Sequence, residues 1–150
     1  MFALALIAAA AAHIEMSGIQ ARLFYSETGR LSDDLLARKK PFVFWNTIIG
    51  EGDAEENADD LLVSVTLSAG KFGAPEENER NVDGPLTIKA TDEKGKLLGY
   101  RTFKNMLTGV GGSTTLGLWL NDVTCAGTVK VQARFAGQFR SAVLEMYCGE

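Results

Sequence analysis

Cys125 and Cys148 are the two cysteines of this 150-residue chain, and the residues between them decide whether their sulfurs meet. Val129, Val131, Ala133 and Phe135 alternate with Thr128, Lys130, Gln132 and Arg134, and Ala142, Leu144 and Met146 repeat the alternation further on. Period two marks strands with one buried face. A two-residue turn at Ala136-Gly137, with the glycine at positive φ, sets Val129 opposite Leu144, Val131 opposite Ala142 and Gly127 opposite Met146. The same register sets Cys125 opposite Cys148. Cα atoms of a non-hydrogen-bonded antiparallel pair lie about 4.5 Å apart, within the reach of a disulfide. Closing this loop contributes about 3.4 kcal/mol in the chain-entropy treatment. The plainer alternative is a pair of reduced, buried thiols. Two thiols with no histidine beside them make only half of a zinc site.

Oxygen chemistry concentrates in EGDAEENADD, residues 51–60, which packs six carboxylates into ten positions. Hard oxygen ligands suit Ca²⁺, with Asp53, Glu55, Asp59 and Asp60 as candidate ligands and Asp33 or Asp34 as further donors. The spacing lacks the frame of an EF-hand loop, and a solvated acidic loop is the simpler reading. The segment 70–84, with Glu76, Glu77, Glu79 and Asp83, repeats the feature more weakly. His13 is the only histidine. Exposed as a new N-terminus, its α-amine and imidazole could chelate Cu(II), although copper enzymes of this kind use a second histidine. A serine triad also needs a positioned histidine. A carboxylate pair of the glycosidase kind cannot be picked out of nineteen acids. Gly109-Val110-Gly111-Gly112 has no Lys-Ser/Thr after it and reads as a hairpin loop rather than a phosphate cradle.

Aromatic residues offer contact rather than catalysis. Trp119 falls on the parity opposite Leu116, Leu118 and Leu120, so it faces outward if those leucines face the core. Tyr100 is expected to share such a surface. Exposed Trp and Tyr rings stack on sugars or dock a partner. A loop covering Trp119, such as 70–84, is the bland alternative, and Trp45 lies in a doubly apolar run that reads as core.

The elements that must hold these residues are nearly all strands. Ile19, Ala21, Leu23 and Tyr25 alternate with Gln20, Arg22 and Phe24, Leu61, Val63, Val65 and Leu67 with Leu62, Ser64, Thr66 and Ser68, and Leu86, Ile88 and Ala90 with Thr87, Lys89 and Thr91, while Leu116, Leu118 and Leu120 make a further strand. Asp92-Glu93-Lys94-Gly95 turns one strand into the next, over 96–104. Phe42 to Ile49, apolar on both faces, reads as a central strand. Ser32 before Asp33 and Asp34 reads as the N-cap of a short helix ending before Pro41. The pattern predicts an antiparallel β-sandwich, immunoglobulin-like or C2-like, with about eight strands and at most one or two short helices. The immunoglobulin spacing of cysteines around a tryptophan is absent, so the likeness is architectural and carries no function.

Phe2 to Ala12 is an apolar run of eleven residues, too short to span a bilayer and of the length of a signal-peptide core. Ala10-Ala11-Ala12 suits cleavage, although no basic residue precedes the run. Residues 1–12 are therefore read as a signal peptide and 13–150 as a single domain. A leader and a disulfide agree on an oxidising compartment, periplasmic or secreted. The net charge of −4 argues against a nucleic-acid partner, and apart from Arg38-Lys39-Lys40 the basic residues form no stripe in the sequence. The leading expectation is an exported, non-catalytic module binding a protein or glycan partner. A Ca²⁺-dependent module built on residues 51–60 is the alternative, and a copper or hydrolytic enzyme stands behind both.

Overall fold

A computed structural model describes residues 14–44, 52–69, 80–109 and 111–149. It contains ten strands and a single 3-10 turn at Leu35–Ala37 among the described residues. Strands β1 (Glu15–Phe24), β3 (Asp60–Ser68) and β8 (Ser113–Leu120) form a three-stranded antiparallel sheet in the order β1-β3-β8. A five-stranded sheet has the order β2-β10-β9-β5-β6, from β2 (Phe42–Val43), β5 (Leu86–Thr91), β6 (Leu97–Phe103), β9 (Gly127–Phe135) and β10 (Gln138–Tyr147). Strands β4 (Arg80–Val82) and β7 (Met106–Thr108) pair as a separate ribbon.

Alternation explains why these segments fold this way. Leu61, Val63, Val65 and Leu67 of β3 are wholly buried, while the residues between them are half-buried. Strand β9 does the same with Val129, Val131, Ala133 and Phe135. Each sheet presents its apolar parity to the other, and one continuous core results. The molecule is therefore all-β and sandwich-like. Complete burial of each such aliphatic side chain contributes about 1.5–3 kcal/mol.

The two sheets are tied at both margins. On one, Gln138 Oε1 accepts from the Met16 amide at 2.9 Å and Gln138 Nε2 donates to the Ile14 carbonyl at 2.7 Å, joining β10 to β1. On the other, Arg101 donates to the Gly117 carbonyl at 3.0 Å, joining β6 to β8. Gly99 allows the close approach there, because a Cβ on it would meet the end of the Leu120 side chain, which would have to shift.

Three expectations change. Phe42–Val43 lies at the margin of its sheet, not at its centre, and it runs parallel to β10. The remainder of the run to Ile49, with Trp45, lies outside the described residues. The helix predicted after Ser32 is one 3-10 turn capped by Asp34, whose carboxylate accepts from the Leu36 amide at 3.1 Å. Ser32 instead closes the free edge of β1. Its hydroxyl accepts from the Leu23 amide at 2.9 Å and its own amide donates to the Leu23 carbonyl at 2.9 Å. Finally, β4 and β7 were not expected, since three-residue strands are too short to show a period.

Candidate functional site

The hairpin adopts the register expected of it. Val129 pairs with Leu144, Val131 with Ala142, and Gly127 with Met146. Ala136 and Gly137 both take positive φ, 45° and 79°, the signature of a tight two-residue hairpin turn. Beyond the paired ends, Cys125 and Cys148 stand with Cα atoms 4.9 Å apart and their sulfurs at disulfide distance. Cys125 takes a positive φ of 56°, which bends the chain out of β9 toward its partner.

The described carboxylates of residues 51–60 do not converge. Asp53 accepts from Arg38 at 2.6 Å and from the Val43 amide at 3.0 Å. Glu56 accepts from Arg30 at 2.6 Å and from Thr28 at 2.9 Å, and the guanidinium holds its carboxyl below the ordinary glutamate range. Glu55 lies 3.6 Å from Arg30 and is open to solvent. Burial pushes the nearby Tyr25 phenol up. Asp59 accepts from the Thr124 hydroxyl at 2.9 Å. Asp60 accepts from the Trp119 indole and from the Asp122 amide. Among the described residues no three His, Cys, Asp or Glu side chains are grouped to hold a metal ion. Asp34 serves the Ala21 and Leu36 amides. His13, the leader, Glu51, Glu76, Glu77 and Glu79 lie outside the described residues.

Trp119 does face outward. Leu118 and Leu120 are buried beside it, and 41% of its own surface is exposed. Its ring is held from two sides. The indole N–H donates to Asp60 at 3.0 Å, and Phe24 packs edge-on with ring centroids 5.2 Å apart. Leu62, paired with Trp119 across β3 and β8, lies over Gly117, where a Cβ would approach Leu62 to 2.9 Å. Phe24, Leu62 and Trp119 thus form an apolar strip on the outer face of the three-stranded sheet.

Tyr100 looks out from the other sheet. It pairs with Lys89, whose neighbours Ile88 and Ala90 are buried, so its ring is on the outer face of the five-stranded sheet, 58% exposed. No single flat surface holds both aromatic residues. The Thr102 hydroxyl donates to the Tyr100 phenol oxygen at 3.2 Å, which lays the ring back along its own strand. Successive outward residues on one strand are spaced about 6.8 Å apart, close to the length of a tyrosine side chain.

Around Tyr100 the outer parities of β5, β9 and β10 gather residues that the sequence separates. Lys89 pairs with Gln132, Lys130 with Val143, and Arg134 with Phe139. All three cations are exposed, and Arg134 stacks on the Phe139 ring at 4.8 Å. Linear spacing hides this group, because it depends on β5 lying beside β9. The one signal available was the alternation of β9, whose polar parity reads Thr-Lys-Gln-Arg. Among the described residues no helix is long and apolar enough to cross a membrane. No protein-family model matches the chain, and no curated protein matches it significantly.

Proposed function

We propose that this protein is an exported, non-catalytic β module that binds a protein or glycan partner through its outer sheet faces. The observation that carries the reading is the state of Trp119. It is a large aromatic residue, 41% exposed, yet fixed by Asp60 and by Phe24. A ring immobilised before contact loses little rotamer entropy on binding, which favours its use as an anchor. Export is supported by the cysteine pair at disulfide distance, since such bonds persist outside the reducing cytosol.

The test has two parts. The native product, recovered from the organism's extracytoplasmic fraction, should lack the first twelve residues and be two protons lighter than its reduced form by intact mass. On a glycan array and in cross-linking with extracytoplasmic protein, wild type should capture a ligand that Trp119→Ala binds about tenfold or more weakly. Full-length native protein with two titratable thiols would remove export, and identical capture by the variant would remove the Trp119 anchor.

A further inference from the structure

We infer that the outer face of the five-stranded sheet is a docking surface for an acidic polysaccharide. The inference rests on the binding-module reading and names a ligand class for it. Lys89, Lys130 and Arg134 project from adjacent strands β5 and β9 on the same face. Glu145 is the one carboxylate among the outward strand residues of β5, β6, β9 and β10. This face is therefore net positive on a chain of net charge −4. Within the described residues the ion pairs lie at Arg30 and Arg38, on the acidic loop, and leave these three cations without a carboxylate partner. The acids of residues 53–56 thus take up Arg30 and Arg38, while Lys89, Lys130 and Arg134 share the outer face of the five-stranded sheet with Glu145 alone.

The geometry suits a long, thin ligand. With strands about 4.8 Å apart and outward residues about 6.8 Å apart along each, Lys89 sits diagonally about 8 Å from both Lys130 and Arg134. Lys130 and Arg134 are about 13 Å apart along β9. The row offers several anionic contacts in succession and nothing that encloses a small molecule. Tyr100 and Phe139 stand on opposite flanks of the cations, and both expose ring surface. The Tyr100 ring is laid along the sheet by Thr102, ready to stack on a pyranose face. Gln132 and Ser141, paired between the cations and beside Lys89, supply hydroxyl-matching donors and acceptors. Beyond Val143 the face runs into a shallow groove of about 300 Å³ lined by Arg38, Lys39 and Lys40 together with Glu145, so that the cations outnumber the one carboxylate there. Basic residues from 39–40, 89, 130 and 134 thus border one track. A carboxylated or sulfated glycan is the polyanion that an exported module meets, and its sugar rings answer the flanking aromatic residues.

Affinity electrophoresis of the oxidised full-length protein tests this, with polygalacturonate, dextran and single-stranded DNA as the probes. Retardation by polygalacturonate should be strong at about 20 mM salt and fade toward 300 mM, as exposed charges are screened over about a Debye length. Dextran should give none. Lys89→Glu/Lys130→Glu should weaken retardation about tenfold or more, and Tyr100→Ala several-fold, with melting temperatures near wild type because all three residues are exposed. Lys94→Glu/Lys96→Glu, in the turn outside the track, changes the net charge by the same amount and should change retardation little. Absence of retardation at low salt, equal retardation by dextran, or an equal loss with Lys94→Glu/Lys96→Glu would overturn the assignment. Tighter binding to single-stranded DNA than to polygalacturonate would replace the polysaccharide with a nucleic acid. Binding that survives Lys89→Glu/Lys130→Glu but is lost in Trp119→Ala would overturn this face while leaving the binding module intact. A full-length product with free thiols would instead strike export alone.

Discussion

Single carboxylates in this chain do structural work that their clustering disguises. Asp60 fixes an exposed tryptophan, Asp53 ties Arg38 to the Val43 amide, and Asp34 satisfies two amides at once. Glu56 is the one whose protonation should be visible. Its hydrogen bond with Arg30 holds its folded pKa below the ordinary glutamate value. The unfolded chain therefore takes up this proton first as pH falls. The contribution is complete above the unfolded value, and it is lost as pH drops through the lower, folded one. Urea midpoints measured downward from pH 7 should hold until about pH 4.5 and then decline. Arg30→Gln should remove part of that decline, so that the two proteins differ most near neutral pH and converge as pH falls. An identical acid profile in the variant would show that the pair contributes nothing to folding.

The hairpin turn is the element where local chemistry is furthest from its optimum. Ala136 holds a φ of 45°, a left-handed conformation that crowds its Cβ against the backbone. Asparagine tolerates this position, and Asn-Gly is the favoured pair for such turns. Ala136→Asn should stabilise the protein by about 0.5–1 kcal/mol, seen as a rise of about 2 °C in thermal melting. Strict alternation made β1, β3, β5, β8, β9 and β10 legible, and the turn at 136–137 fixed the β9–β10 register. That register alone predicted the meeting of Cys125 with Cys148. The short strands β4 and β7 were not legible, and β2 was read as a strand but placed at the centre of its sheet, since its position is set by distant partners such as Met146 opposite Phe42. Ser32 and Asp34 look like a helix start because the same side-chain oxygens that cap helices can also cover a strand edge. The cation group of Lys89, Lys130 and Arg134 was hidden for a related reason. Each lies on a correctly read strand, but which strands adjoin is not written in either one.

Across the molecule, the cysteine pair acts at the open end of the hairpin, where several segments converge. Strand β10 ends against Phe44, whose amide donates to the Tyr147 carbonyl at 2.9 Å, and Cys148 follows directly. Cys125 belongs to a loop held to the start of β3: the Val123 amide donates to the Asp59 carbonyl at 2.8 Å, and Thr124 to the Ala58 carbonyl at 2.8 Å. A bond between the two sulfurs therefore fastens the end of the five-stranded sheet to the loop that leaves the three-stranded one. Replacing both cysteines by serine should lower the unfolding free energy by about 3 kcal/mol, the loop-closure entropy returned to the unfolded chain. For a domain of this size that is a fall in melting temperature of about 6–12 °C. The loss should also be uneven. Amide exchange should quicken at Phe44, Val123 and Tyr147, and remain slow at Val131 and Ala133, which are buried in mid-sheet far from the bridge. Treatment of wild type with a reductant should reproduce the variant's melting temperature. If it does not, and the two differ by several degrees, the serine substitutions act through packing at the loop rather than through the covalent link.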